Sequence, residues 1–147
     1  MFTLWFTGSN YHSMRAIAKE VEKFLKAKKL IVIYLDKYNC VGVRHAAYVA
    51  ELLNKQGAVV VASFYASYLQ HRTSVKSIVT KHIEVWVKGA DKTHVFAQES
   101  CDILVDLSLN TVQSCASLVA SYLYLHKVIE LSKDGIDPIV NIREDKE

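Results

Sequence analysis

The sequence predicts a three-layer α/β domain on a five-stranded, mostly parallel sheet. Short runs rich in Val and Ile alternate with longer segments of helical periodicity. The short runs are apolar almost throughout rather than at every second residue, which suits strands covered on both faces. Their order, βαβαβαβ–loop–βα, implies right-handed crossovers that place helices on either side of the sheet.

The first strand is read at Phe2–Phe6. The helix after it, Ser13–Lys28, puts Ile17, Val21, Phe24 and Leu25 on one stripe with charges opposite. A second strand follows at Ile31–Leu35 ("IVIYL"). The next helix, Ala46–Lys55, carries Val49, Leu52 and Leu53 and ends before Gly57, a suitable terminator. The third strand is Val59–Phe64 ("VVVASF"), followed by a helix at Tyr68–Thr80 and a fourth strand at Ile83–Val87 ("IEVWV"). After a loop come the fifth strand, Ile103–Asp106, and a last helix, Thr111–Leu131.

A chain of 147 residues is one domain by length. Residues 1–133 are expected to form it, and 134–147, a polar stretch holding Pro138, a loosely ordered tail. The net charge of +3 is too small to imply nucleic acid, and the lysines of the first helix alternate with Glu20 and Glu22 as on a solvated face. Cys40, Cys101 and Cys115 have no paired spacing, which favours packed thiols in a reducing compartment over disulfides or a zinc site. Phe2–Phe6 is too short for a secretory signal, and Cys115–Ile129 is too interrupted by polar residues to span a membrane. The expected location is cytoplasmic.

Ligands of open parallel sheets collect at the carboxyl ends of the strands. The segments to inspect are therefore Thr7–Met14, Asp36–Arg44, Tyr65–Arg72 and Lys88–Phe96. The first, "LWFTGSNYHSMRAIA" (Leu4–Ala18), is a hydrophobic strand running into Thr7-Gly8 and then into an amphipathic helix. That is the setting of a phosphate-binding loop, but the glycines and lysine such a loop uses are missing.

Together these segments resemble the adenylylsulfate kinases, P-loop kinases that phosphorylate the ribose of adenosine phosphosulfate. The resemblance rests on "WFTG" (Trp5–Gly8), the following "AIA", "LDKYN" (Leu35–Asn39) in place of Leu-Asp-Gly-Asp-Asn, and "VRHAAYVAELLNKQGAVVVASF" (Val43–Phe64). "YLQHR" (Tyr68–Arg72) and "IEVWV" complete it. It implies a P-loop kinase-like fold. A P-loop reads G-x-x-x-x-G-K-[ST], with glycines for close backbone approach, lysine on the β/γ-phosphates and a hydroxyl on Mg²⁺. Here Gly8 remains, but Tyr11 and Ser13 replace family glycines, Met14 the lysine and Arg15 the Mg²⁺-binding serine. In the substrate region Asp36, Asn39, Arg44 and Arg72 match family residues, whereas Tyr38, Ala66, Ser67 and Leu69 do not. The segment after the fourth strand lacks the family's basic lid, so nothing is expected to close over a nucleotide.

The resemblance thus implies a catalytically inactive, kinase-like protein with no catalytic residues, no metal and no ATP or Mg²⁺ cofactor. Gly8, Ser9, Asn10, Ser13 and Arg15 form a degenerate P-loop, with anion binding as the alternative to ordinary helix capping. Asp36, Asn39, Arg44 and Arg72 are the candidate substrate residues, set against turn-capping and ion-pairing roles. Tyr11, Tyr38, Tyr65 and Tyr68 either fill the vacated crevice or form an interaction surface. His12, His45, His71 and His94 lie near strand ends without metal-ligand spacing and read as surface residues. Cys40 is reactive only if Arg44 lowers its pKa. The expected partner is a protein or a second copy of the chain, with a small nucleotide or anion as the alternative, and neither nucleic acid nor membrane. Its setting by analogy is sulfur metabolism. The rival reading is an active kinase or related transferase with rebuilt contacts from Arg15, Arg44, Arg72 and Asp36.

Overall fold

The computed structural model describes residues 1–8, 10–65, 69–89 and 101–130, with Leu69 and Gln70 by backbone alone. The expected C-terminal tail, His94, and most of the segment after the fourth strand lie outside these residues.

The strands are β1 (Thr3–Gly8), β2 (Val32–Leu35), β3 (Val59–Ser63), β4 (His82–Lys88) and β5 (Ile103–Asp106). The helices are α1 (Tyr11–Ala27), α2 (Val43–Lys55), α3 (Leu69–Ile78) and α4 (Val112–Leu125). The five strands form one sheet in the order β2-β3-β1-β4-β5. Every pairing is parallel.

Alternation along each strand divides two cores. Leu4 and Phe6 of β1 meet Ile17, Val21 and Phe24 of α1 and Val119 and Leu123 of α4 on one side. Trp5, Val60 and Ala62 meet α2 and α3 on the other, where Val75 and Val79 close the layer. The α1 stripe expected from periodicity is all buried.

The α2 helix differs from expectation. Its buried face is Ala46, Ala47, Ala50 and Asn54, while Val49 and Leu53 are only partly covered and Leu52 is exposed. Small side chains let the helix lie close on β3, so the larger residues fall on its flank. Asn54 then reaches the sheet: its amide donates to the carbonyls of Phe2 and Ala58, each at 3.0 Å, and accepts from the Thr3 hydroxyl at 2.7 Å. This buried clasp fixes the end of α2 to the start of β1.

The second core also holds charge. Arg72 of α3 and Glu84 of β4 form an ion pair whose side chains are each 1% exposed. Arg72 Nε donates to both Glu84 carboxylate oxygens, at 3.0 and 3.1 Å, and the guanidinium lies 5.2 Å from the Trp86 ring. The Glu84 backbone N–H donates to Asp102 Oδ2 at 2.7 Å. This network ties α3 to β4 beneath the sheet surface.

Candidate functional site

From β1, in the middle of the sheet, α1 leads out to the edge strand β2. From β3, α3 crosses back over β1 to β4. The connections therefore part at the carboxyl ends of β1 and β3, where an open sheet forms its crevice.

The β1–α1 junction is built as a helix start. Asn10 is the N-cap: its side chain accepts from the Ser13 N–H at 3.0 Å, and its carbonyl accepts from the Met14 N–H at 3.2 Å. Two backbone donors at the positions matched to the P-loop are thereby used inside the chain. Met14, at the position of the family lysine, has 0% exposure and packs in the core with Ile17 and Ala18. It is closed off from solvent. Gly8 has a reason to be glycine that involves no ligand: a Cβ there would stand 2.4 Å from the Val87 carbonyl oxygen of the adjacent β4. Ser9 lies outside the described residues.

After β2 the chain folds into a tight turn around Asp36, which is 4% exposed. Asp36 Oδ1 accepts from the Tyr38 N–H at 2.9 Å. Asn39 closes the turn with both ends of its amide, Oδ1 accepting from the Asp36 N–H and Nδ2 donating to the Tyr34 carbonyl, each at 2.8 Å. This is an Asx-type turn, and it occupies the polar atoms of Asn39.

Above the turn lies a cluster of rings and cations. Tyr11 and Tyr38 meet edge-to-face with centroids 6.5 Å apart. The Lys37 ammonium lies 4.4 Å from the first ring and 5.2 Å from the second. Arg15 Nε is 3.8 Å from Asp36 Oδ2. Deeper in, the Tyr34 hydroxyl shares a 2.7 Å hydrogen bond with Ser63 Oγ, and Lys19 Nζ sits 3.8 Å over the Tyr34 ring. Burial pushes the Tyr34 phenol up to about 12. Burial, and then the charge of Asp36, also raise the Tyr11 phenol above its ordinary value. Both phenols stay neutral at physiological pH.

The structure therefore gathers Tyr11, Arg15, Asp36, Tyr38 and Asn39, and adds Lys19, Tyr34, Lys37 and Ser63, which the sequence reading did not single out. Lys37 was visible within "LDKYN". Tyr34 was hidden because it sits inside an apolar strand. The other candidates lie outside this cluster. Arg72 is sealed in the second core by Glu84 rather than open to the crevice. Arg44 lies exposed on the first turn of α2, and Tyr65 is exposed after β3. Tyr68 lies outside the described residues. His45 Nδ1 accepts from the Val41 N–H at 3.3 Å, and His12 and His71 are exposed. Cys40 is buried, and its thiol is raised first by burial and then by Asp36, the reverse of activation by Arg44. Among the described residues no cluster of three or more His, Cys, Asp or Glu could hold a metal ion, and no helix is long and apolar enough to cross a membrane.

A central β1 leading straight into α1, in an all-parallel sheet ordered β2-β3-β1-β4-β5, defines a P-loop NTPase-type α/β fold. A designed protein of P-loop NTPase fold superimposes with a TM-score of 0.52 over 86% of this chain and 93% of its own, at 8% identity. Within that class the chain is similar to the adenylylsulphate kinases. The model of that family matches residues 39–99, a segment that begins beyond the β1–α1 junction. The adenylyl-sulfate kinase of Halothermothrix orenii is 29% identical over 103 residues, 59% of this chain and 56% of that protein, so the chain matches just over half of that relative's length. The hexameric APS kinase from Thiobacillus denitrificans superimposes with a TM-score of 0.74 at 18% identity, over 89% of this chain and 30% of that one. A Mycobacterium tuberculosis APS kinase in complex with AMPPNP and APS gives a TM-score of 0.69 at 18% identity, over 83% and 96%.

Proposed function

We propose that this protein is an adenylylsulfate-kinase-like binding protein that does not transfer phosphoryl groups. The observation that carries the reading is the β1–α1 junction: Asn10 uses the Ser13 and Met14 N–H groups, and the Met14 side chain is committed to the core. Phosphoryl transfer depends on positioning and electrostatic stabilisation of the phosphates. At this junction the lysine and the Mg²⁺-binding hydroxyl are replaced by Met14 and Arg15. We infer no ATP or Mg²⁺ requirement.

The side chains that face solvent around the crevice are of another kind. Tyr38 is 73% exposed and Tyr65 51%, and Arg44 is exposed on the first turn of α2. Tyrosine supplies contact area at low entropic cost, and both tyrosine and arginine are enriched at binding hot spots. This favours a protein partner or a second copy of the chain, with an adenine-nucleotide-like ligand in the altered crevice as the alternative. A setting in sulfur metabolism follows from the relatives' names, and a cytoplasmic location from three cysteines whose spacing shows no disulfide framework. An active kinase with rebuilt contacts is disfavoured because Arg15 faces Asp36 and Arg72 is held by Glu84.

The test is to incubate the full chain with ATP, Mg²⁺ and adenosine phosphosulfate, assay ADP release, and follow thermal stability with each nucleotide alone. We expect no turnover and no stabilisation. Mg²⁺-dependent turnover lost in Arg15→Ala would overturn the reading.

A further inference from the structure

The opposite end of the sheet carries a second concavity, of about 600 Å³. Its walls come from the amino ends of the central strands and the turns that feed them: Phe2 before β1, Lys81 before β4, His82 and Ile83 in β4, and His126 and Lys127 after α4. Ligand sites typically enclose roughly 300–1,000 Å³, so a molecule well beyond the size of an inorganic ion fits. β1 has six residues at about 3.3 Å each, which puts this concavity ~20 Å from the crevice.

Its chemistry is one-sided. Among the described residues lining it none is acidic, and two are permanent cations, Lys81 and Lys127. Neither lysine is ion-paired among the described residues. The backbone of Lys127 is held in the left-handed region at φ 56 by the turn that ends α4, where its N–H donates to the Tyr124 carbonyl at 3.0 Å. The lysine is thus fixed at the rim by its main chain. His82 adds surface rather than charge: burial holds its pKa down, and its ring packs 6.3 Å from Trp5. The carboxylates beside it are engaged: Glu51 accepts from the Thr80 hydroxyl at 2.7 Å and from the Thr80 N–H at 3.3 Å, Glu84 is held by Arg72, and Asp102 accepts from the Glu84 N–H. Phe2 and Ile83 give the floor an apolar surface.

We propose that this concavity is a binding site for a small organic anion with an apolar body, such as an aromatic carboxylate or sulfonate. The anionic group rests between Lys81 and Lys127, and the hydrocarbon lies on Phe2 and Ile83. Inorganic phosphate would use only the cationic part. The site is independent of the crevice and of the function proposed for it.

The probe is 1-anilinonaphthalene-8-sulfonate, whose fluorescence rises in apolar surroundings, titrated into the full chain with inorganic phosphate as a weak competitor. Saturable 1:1 binding is expected, weakened about tenfold when both cations are reversed in Lys81→Glu/Lys127→Glu. Both side chains are exposed, so the double variant should keep the parent's urea midpoint, and Arg44→Ala should bind the dye as the parent does. Three results would overturn the proposal: no saturable binding, unchanged binding in the folded double variant, or loss of binding in Arg44→Ala, which would place the dye at the crevice. If the double variant does not fold, the single Lys127→Gln variant gives the same comparison, with a smaller loss expected and no loss contradicting the site.

Discussion

Replacing Met14 by lysine would restore the residue type that a P-loop carries at this position. The function proposed above implies that this substitution alone does not restore phosphate binding. Met14 has no exposed surface and lies in the core between the sheet and α1. The methylenes of a lysine would keep much of the apolar burial, so the cost falls on the ammonium. Full burial depresses a lysine pKa by up to about 3–5 units. The cost at ~1.4 kcal/mol per unit is limited at neutral pH to the span between the ordinary lysine pKa and the working pH, so Met14→Lys should lose about 4–5 kcal/mol there. That is a large share of a domain's total stability, commonly about 5–15 kcal/mol. The sign with pH follows from proton binding. The unfolded lysine holds its proton up to its ordinary pKa, the folded one releases it earlier, and stability therefore rises with pH between the two values. Urea denaturation at neutral and alkaline pH measures both the loss and its slope. Met14→Leu is the control and should cost less than about 1.5 kcal/mol. A Met14→Lys variant as stable as the parent, flat with pH and newly stabilised by Mg²⁺-ATP would refute the assignment of this side chain to the core.

Breaking the buried pair with Arg72→Met strands the Glu84 carboxylate and should cost about 3–5 kcal/mol, while Arg72→Met/Glu84→Leu should recover most of it; a double-mutant cycle by urea denaturation checks this. Gly8→Ala forces a Cβ against the Val87 carbonyl and should lose about 1–3 kcal/mol in thermal or chemical unfolding, with or without nucleotide present. Asn54→Ala removes a partner from the Thr3 hydroxyl and from the Phe2 and Ala58 carbonyls, and should cost about 1–3 kcal/mol by the same measurement. Because burial raises the Cys40 thiol, native alkylation at Cys40 should be slower than in urea-unfolded protein and its pH midpoint higher; mass spectrometry of the labelled peptide reads both.

How much the sequence revealed depends on the range of the interaction involved. Strand and helix types came from local periodicity, and β5 has the expected bounds, Ile103–Asp106. The all-parallel order is the natural consequence of covered apolar runs such as Val59–Ser63. Helix faces were harder where alanine does the packing: α2 buries Ala46, Ala47 and Ala50, which carry little hydropathy signal, and exposes Leu52. In the candidate site, short-range features were legible, since Asp36 and Asn39 sit in a turn that "LDKYN" already suggests. Arg72 was not legible, because its partner Glu84 comes from a different element and a charge inside an apolar strand gives no hint of what neutralises it. The same holds for Tyr34, whose hydroxyl meets Ser63 from a neighbouring strand. Gly8 was read as the glycine left in a degenerate phosphate-binding loop; the crowding that a Cβ would meet there comes from Val87 of β4, which sequence spacing does not reveal.

The most direct measurement of the central claim is amide NMR of the ¹⁵N-labelled chain titrated with Mg²⁺-ATP, following the backbone N–H groups of Tyr11 to Arg15. Because Ser13 and Met14 donate to Asn10 and the side chain at 14 is in the core, these signals should stay in place at saturating nucleotide. Saturable shifts centred on Ser13 and Met14 would mean that the junction opens to seat phosphate, and would contradict it.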